Sequence, residues 1–277
     1  DVVLVDSTED LQPDLEALRT ELETRAEASD GASQSRQLKM VTLVNPSNPA
    51  GVMLPPATLI QVSNLCAEFG VWLVVDNTYE HFSYDEREGG DDGDDECRGG
   101  HVPHSCVEGS HVINIFSFSK GYGMMGWRVG YISYPSSLKP ELLKVQDTIV
   151  ICPSLTSQYA ALGALKAGST WVTERVSELT AQKAIVKKVL VETLGGAAVQ
   201  GGSGAIYLFV KLPTGDDMSA VRFLAEEHGV CVIPGSSCGM PGYMRVCYAN
   251  LPLDATREAA ARLKLGLQAL VKGVGVV

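Results

Sequence analysis

"LKMVTLVNPSNPAGVMLPPATLIQVSNLCAEFGVWLVVD", residues 38–76, holds two apolar runs and a helical pattern between them. The first run, 38–44, ends in the polar "NPSNPAG", and the second, "VWLVV" at 71–75, ends in Asp76. Pro55 and Pro56 suit a helix start, where a missing N–H costs nothing, and Leu59, Val62, Leu65, Cys66 and Phe69 recur at helical spacing as far as Gly70, a stop signal. Near-continuous apolar strands on either side of a helix predict a parallel pair joined by a right-handed crossover, in a sheet covered on both faces.

Outward from that unit the pattern repeats once and then changes. "HVINIFSFS" (111–119) leads directly to Lys120. In parallel sheets ligands bind beyond the carboxyl ends of the strands. Asn48, Asp76 and Lys120 each follow such a run, so the three are expected to converge on one edge. The next strand-like run, "RVGYISY" (128–134), arrives after about eight residues, fewer than the dozen or more a parallel crossover takes, so it runs antiparallel. From 155 onward "LTSQYAALGALKAG" predicts a helix, and the stretch from Trp171 a long amphipathic one with Val172, Val176, Leu179, Val186, Leu190 and Leu194 on one stripe. Lys183 interrupts the stripe, with a stem that can pack while its ammonium reaches water. "GAIYLFVKL", "SAVRFLAEEHG", "VCVIPG", "YMRVCYA" and "LDATREAAARLKLGLQALVKG" then alternate strand and helix signals. The expected fold class is α/β, a mixed, mostly parallel sheet with helices on both faces, plus a small C-terminal α+β domain. The expected division is a partial large domain at 1–154, interdomain helices at 155–194 and the small domain at 195–277.

The totals exclude several functions. With 22 basic against 33 acidic residues, a net charge of −11 and no interleaving of Lys/Arg with aromatics, neither nucleic acid nor an anionic membrane is an expected partner. No apolar run reaches the roughly 18 residues of a membrane span, and the N-terminus lacks the order of a signal peptide, so a soluble, cytoplasmic protein is expected. The chain opens at Asp1 and runs directly into "VVLV", as though entered partway through. Its seven scattered cysteines do not form a disulfide framework and fit reduced thiols. Cys97, His101, His104 and Cys106 carry the atoms zinc needs, but their spacing matches no paired pattern. The neighbouring "EGGDDGDDE" fails the calcium-loop pattern, and a solvated surface loop is expected over 88–100.

Chemistry gathers around Lys120. Gly121, Gly123 and Gly126 spell G-x-G-x-x-G, but a dinucleotide turn must open a helix, and a strand is expected next. Glycine there would serve instead to let backbone approach a bound phosphate. Ser117 and Ser119 offer hydroxyls and Arg128 a forked cation, together a phosphate site beside an amine. Such an amine, partly desolvated near a cation, is suited to Schiff-base chemistry. Asp76, ending a buried strand, calls for a cationic partner such as a protonated pyridine nitrogen. Taken singly, each residue also has an ordinary use: Arg245 as a surface ion-pair residue, Asn48 in a turn, Tyr79 as packing, Asp76 as a helix cap and Lys120 as a solvated loop cation. Met124, Met125 and Trp127 read as packing residues.

"NPSNPAG", "VVDNTYE" and "SFSKGYGMMGWRVGY", in this order, resemble the motifs of class I/II aminotransferases, the pyridoxal-phosphate (PLP) enzymes of fold type I. "LVVDNTYEHFSYD", "GAIYLFVKLP" and "VIPGSSCGMPGYMRV" are most similar to plant-type aromatic aminotransferases. The resemblance implies transamination of an aromatic amino acid or methionine with a 2-keto acid acceptor, in a homodimer. It implies that Lys120 carries PLP through its amine and takes the substrate's α-proton, and that Asp76 pairs with the pyridine nitrogen. Asn48 and Tyr79 would bond the ring oxygen, Ser117, Ser119 and Arg128 the phosphate, and Arg245 the substrate carboxylate. Family members carry an N-terminal arm, a phosphate-binding glycine loop and a ring-stacking aromatic ahead of the point where this chain starts; without them a sheet edge and apolar surface should be exposed. A PLP-dependent lyase on the same scaffold and a truncated, non-catalytic relative stay open as alternatives.

Overall fold

The computed structural model describes residues 2–27, 38–84 and 104–274. Cys97, His101 and the acidic stretch 88–100 lie outside them. The chain divides into two compact units, one built from Asp1–Pro46, Met53–His81 and Pro103–Val172, the other from Ser47–Val52, Phe82–Val102 and Thr173–Val277.

The first unit is organised by a four-stranded sheet of β1 (Met40–Val44), β2 (Trp72–Asp76), β3 (Val112–Ser117) and β4 (Gly130–Ser133), in that order. β1 pairs with β2, and β2 with β3, in parallel, while β4 lies antiparallel to β3, as expected from the run that follows Lys120. Helices α1 (Leu15–Glu27) and α2 (Pro56–Glu68) contribute Leu18, Leu22, Leu59 and Val62 to a core completed from the sheet by Leu73 and Val75. α2 begins with proline in its first turn, and no side chain caps it. Arg19 joins the two helices by a bidentate contact to Glu68 at 2.9 and 3.0 Å, an exposed pair that adds little stability. After β4 come α3 (Lys139–Val145), one π turn (Gln146–Val150) and α4 (Leu155–Ala167), the last capped by the Ser154 hydroxyl accepting from the Ser157 N–H. All four residues of β4 are exposed, and Tyr131, Ile132, Ile149, Val150 and Ile151 stand at the surface.

Helix α5 (Ser169–Leu194) buries Val172, Val176, Val186 and Leu190 of the expected stripe. Lys183 does not run out to water: its Nζ donates to the Gly202 carbonyl at 2.8 Å and lies 4.1 Å from the centre of the Tyr84 ring. The second unit holds an antiparallel sheet of β5 (Val199–Gly201), β6 (Tyr207–Lys211), β7 (Ile233–Pro234) and β8 (Tyr243–Cys247), in the order β5-β6-β8-β7. Helices α6 (Asp217–His228) and α7 (Leu253–Val271) accompany it. The Asp216 carboxylate caps α6 by accepting from the Ser219 N–H at 3.0 Å. Of "VCVIPG" only Ile233–Pro234 pairs as a strand. No described helix is long and apolar enough to cross a membrane.

Leu73 is 0% exposed at the centre of the first sheet, whereas Met40 on its edge is 54% exposed. Leu73→Ala should lower stability by about 2–5 kcal/mol, and Met40→Ala by no more than ~0.5 kcal/mol, as read from urea unfolding of the two variants beside the parent.

Candidate active site

Parallel pairing sets the positions of the first residues. Asp76 closes β2 opposite Ile115 of β3, and Ser117 closes β3 two residues later, so the turns after both strands leave from one end of the sheet. Asp76 Oδ1 accepts from the Thr78 N–H at 2.9 Å and from the Thr78 hydroxyl at 2.6 Å. Both bonds end on Oδ1, which fixes the carboxylate and leaves Oδ2 for another partner. The turn is closed by the Glu80 N–H donating to the Asn77 carbonyl at 2.9 Å, and Tyr79 on it is buried. Beneath it Asn77, fully buried, donates to the Val75 carbonyl and the Asn114 Oδ1, each at 3.1 Å.

The second turn carries the lysine. Phe118 is buried with Met124 and Ala161, its N–H donates to the Val129 carbonyl, and its carbonyl accepts from the Met124 N–H. Between these anchors Lys120 stands half-buried, its carbonyl accepting from the Gly123 N–H at 3.2 Å. Among the described residues its ammonium has no ion-pair or hydrogen-bond partner. The Ser119 N–H donates to the Ser117 hydroxyl oxygen at 3.1 Å, which orients one hydroxyl beside the lysine. Arg128 is exposed, with a left-handed φ of 53° and one guanidinium N–H on the Met125 carbonyl at 2.8 Å. A single 3-10 turn (Met125–Trp127) and then β4 follow the glycines, so no dinucleotide-type helix opens here. Met124 packs as expected, but Met125 and Trp127, at 55% and 46% exposure, do not: the turn points them outward.

Asn48 belongs to the second unit and meets Arg245 there. The Arg245 Nη1 donates to the Asn48 Oδ1 at 2.7 Å, and its guanidinium lies 4.5 Å from the centre of the Tyr207 ring. Its Nε is buried with no hydrogen-bond partner among the described residues, a state that costs about 1–3 kcal/mol. The loop bearing Asn48 is held by the Gly51 carbonyl, which accepts from the N–H groups of Gly202 and Gly204 at 2.9 Å. Gly51 itself has φ +70°, and a Cβ there would fall 2.0 Å from the Tyr207 carbonyl oxygen, so only glycine fits.

Of the groups around the first turn, the sequence singled out His104 and Cys106 only as atoms a zinc ion could use, and Glu80 not at all. Glu80 is largely desolvated, which pushes its carboxyl up to about 7; its Oε1 stands 3.6 Å from the His81 Nε2. His104 bonds the Asn77 Oδ1 through Nε2 at 2.8 Å, and burial, with His81 nearby, pushes it down to about 4. Cys106 is held above the ordinary thiol range by burial and then by Glu80 and Glu108. Among the described residues no His/Cys/Asp/Glu group could hold a metal, and His104 and Cys106 are turned to Asn77 instead. Asp76 and Tyr79 thus share one turn, Ser117, Ser119 and Lys120 the next, and Asn48 joins Arg245. Tyr207 was missed because it lies diagonally across the β6–β8 ladder from Arg245, a relation only strand register reveals.

Glu80 stays protonated in the folded chain at pH values where the unfolded chain has released that proton. Its contribution to stability is therefore complete below about pH 4.3 and is lost as pH rises through about 7. His104 acts in the opposite sense, losing stability as pH falls from about 6.5 through about 4. The difference in melting temperature between the parent and Glu80→Gln should therefore shift against the parent between pH 5 and pH 8, a comparison in which the His104 contribution cancels.

The chain matches the family model for aminotransferase class I and II over residues 1–263. It is 49% identical over 238 residues to an aromatic aminotransferase of Arabidopsis thaliana, an alignment covering 84% of this chain and 56% of that protein. It is 29% identical over 241 residues to an aspartate aminotransferase of Pyrococcus horikoshii, covering 84% and 58%. Among solved structures, an aromatic aminotransferase from Pyrococcus horikoshii superposes with a TM-score of 0.78 at 25% identity, over 97% of this chain and 67% of that one. A Thermus thermophilus aspartate aminotransferase variant gives 0.76 at 26% identity, over 96% and 64%. The chain spans a little over half the length of these curated relatives. The mixed sheet, the ordered motifs at its strand ends and the match over nearly the whole chain agree, and the chain belongs to the class I and II aminotransferase family.

Proposed function

We propose that this chain carries the amino-transfer machinery of a PLP-dependent aminotransferase that exchanges an amino group between an amino acid and a 2-keto acid. The observation that carries this reading is the half-buried Lys120, unpartnered among the described residues, on the turn after β3 beside a strand that ends in Asp76. The donor set suits PLP: an amine without a partner, a carboxylate with only one oxygen committed, two serines and an exposed arginine. Lys120 would hold it through Nζ, Asp76 would face its ring nitrogen, Asn48 and Tyr79 its ring oxygen, and Ser117, Ser119 and Arg128 its phosphate. When bound, PLP supplies an electron sink for the negative charge left at the substrate's α-carbon.

The chain's own residues do the rest. Arg245 binds the substrate carboxylate, a task for which its fork of N–H groups is suited. Tyr207 beneath the guanidinium and Asn48 at its Nη1 limit the orientations it can take. Lys120 Nζ, once free, takes the α-proton as general base. An aromatic amino acid or methionine is the proposed donor, supported by the 49% identity to a plant aromatic aminotransferase. A homodimer and a cytoplasmic location belong to the same proposal.

Incubation with PLP followed by borohydride reduction and peptide mass mapping should place the adduct on Lys120 and lose it in Lys120→Arg; an unmodified Lys120 in the parent chain would sink the proposal. In a protein that transaminates, Arg245→Lys should cost about 1.5–3 kcal/mol of carboxylate binding, seen as a roughly ten- to hundredfold rise in KM with kcat changed far less.

A further inference from the structure

His81 takes no part in the roles assigned so far, yet it bridges the two turns that carry them. It follows Asp76, Tyr79 and Glu80 on the turn closed by the Glu80 N–H and the Asn77 carbonyl. Its ring lies against the other turn at Gly121, the residue after Lys120. Gly121 is buried, and a Cβ built on it would fall 2.5 Å from the His81 Cδ2 and 3.4 Å from Cγ, so the ring occupies the space a side chain would need. The next residue, Tyr122, meets the same imidazole edge to face, with ring centres 5.6 Å apart at 89°. Tyr122 is in turn packed against Phe118, with centres 5.3 Å apart, and Phe118 is the buried anchor from which the lysine turn starts. The Glu80 Oε1 stands 3.6 Å from the His81 Nε2.

We propose that His81 is a positioning residue for Lys120: its ring, seated where Gly121 has no side chain and braced by Tyr122, fixes the lysine turn against the turn that bears Asp76 and Tyr79. The catalytic meaning of this clamp rests on the role proposed for Lys120, and the clamp itself on geometry within the first unit alone. Gly121 is then glycine to admit an imidazole, and not to admit a phosphate. The cost of losing such a clamp follows from how steeply reactivity depends on placement, since about 1 Å of displacement can cost about a hundredfold.

The clamp makes Gly121 and His81 interdependent, which a double-mutant cycle reads directly. The parent chain, His81→Ala, Gly121→Ala, the double variant and His81→Phe are compared by two measurements. One is the yield of borohydride-trapped PLP adduct on Lys120 at limiting PLP; the other is amide hydrogen exchange over residues 119–124, which needs no cofactor. His81→Ala should cut the adduct yield about tenfold or more and speed exchange in that segment, with exchange in the core strands unchanged. Gly121→Ala should do the same in the parent background and add little once His81 is gone, while His81→Phe, which keeps a ring of similar shape, should restore most of both signals. Equal exchange and equal adduct yield in the parent and His81→Ala, or fully additive effects of the two substitutions, would overturn the clamp. If the parent chain gives no Lys120 adduct, the cofactor role of Lys120 fails, and the exchange data alone then decide for or against the clamp.

Discussion

The parallel pairing of β2 with its two neighbours is the constraint on which the first unit depends. Val44 lies opposite Asp76, and Asp76 opposite Ile115, so three strands run out at nearly the same level. A parallel sheet can be built only if long connections pass over its faces, and α2 with α1 supplies the apolar cover that buries Leu73 and Val75. Once that cover exists, the strand ends are the places where polar side chains leave the core without being stranded in it. Asp76 uses this at once, turning its Oδ1 onto Thr78. The placement of Asp76 and Lys120 at one end therefore follows from the sheet's direction, and a single antiparallel flip of β3 would send Lys120 to the other end.

Much of this was legible in the sequence because it depends on periodicity and connection length. Apolar runs of strand length, the helical spacing of Leu59, Val62 and Leu65, and the short link after Lys120 predict the mixed sheet without knowledge of any contact. Residue type combined with position in the chain likewise picks out Asp76 and Lys120 as candidates, whereas Arg245 is picked out only by its resemblance to a family motif. Legibility stops where a residue's role depends on what lies across from it. Tyr207 looks like one more strand aromatic until the β6–β8 register places it on the same face as Arg245. Met125 and Trp127 are apolar, and composition puts them inside, but a 3-10 turn followed by a left-handed Arg128 turns them out. Lys183 reads as a cation bound for water because its acceptor, the Gly202 carbonyl, is 19 residues away.

The second unit makes the same point about polar residues. Asn48 and Arg245 are 197 positions apart and bond at 2.7 Å. The asparagine keeps this place because the loop around it is fastened at Gly51, whose carbonyl takes two N–H groups and whose bare α-carbon passes the Tyr207 carbonyl. The arginine then has one donor satisfied, one face stacked on an aromatic ring and one buried donor with no partner among the described residues. Folding alone gains nothing from the orphaned Nε. The carboxylate role proposed for Arg245 would fall to its remaining guanidinium N–H groups, which Asn48 and the Tyr207 ring hold in one orientation.

The glycines after Lys120 show how one spacing can arise from unrelated causes. Gly121 is buried and leaves room for the His81 ring; Gly123 holds a φ of +63°, which closes the turn back onto the Lys120 carbonyl; Gly126 has nothing within 4 Å of where its side chain would be. A phosphate-binding fingerprint needs its glycines to serve one ligand together, at the start of one helix. Here only Gly121 answers to a neighbour, Gly123 answers to its own backbone angle, and the element that follows is a strand. The pattern's meaning therefore lies in the turn geometry it permits: a chain that leaves β3, carries one half-buried lysine, and returns as β4 within a dozen or so residues is helped by the absence of side chains where the imidazole enters and where the backbone reverses.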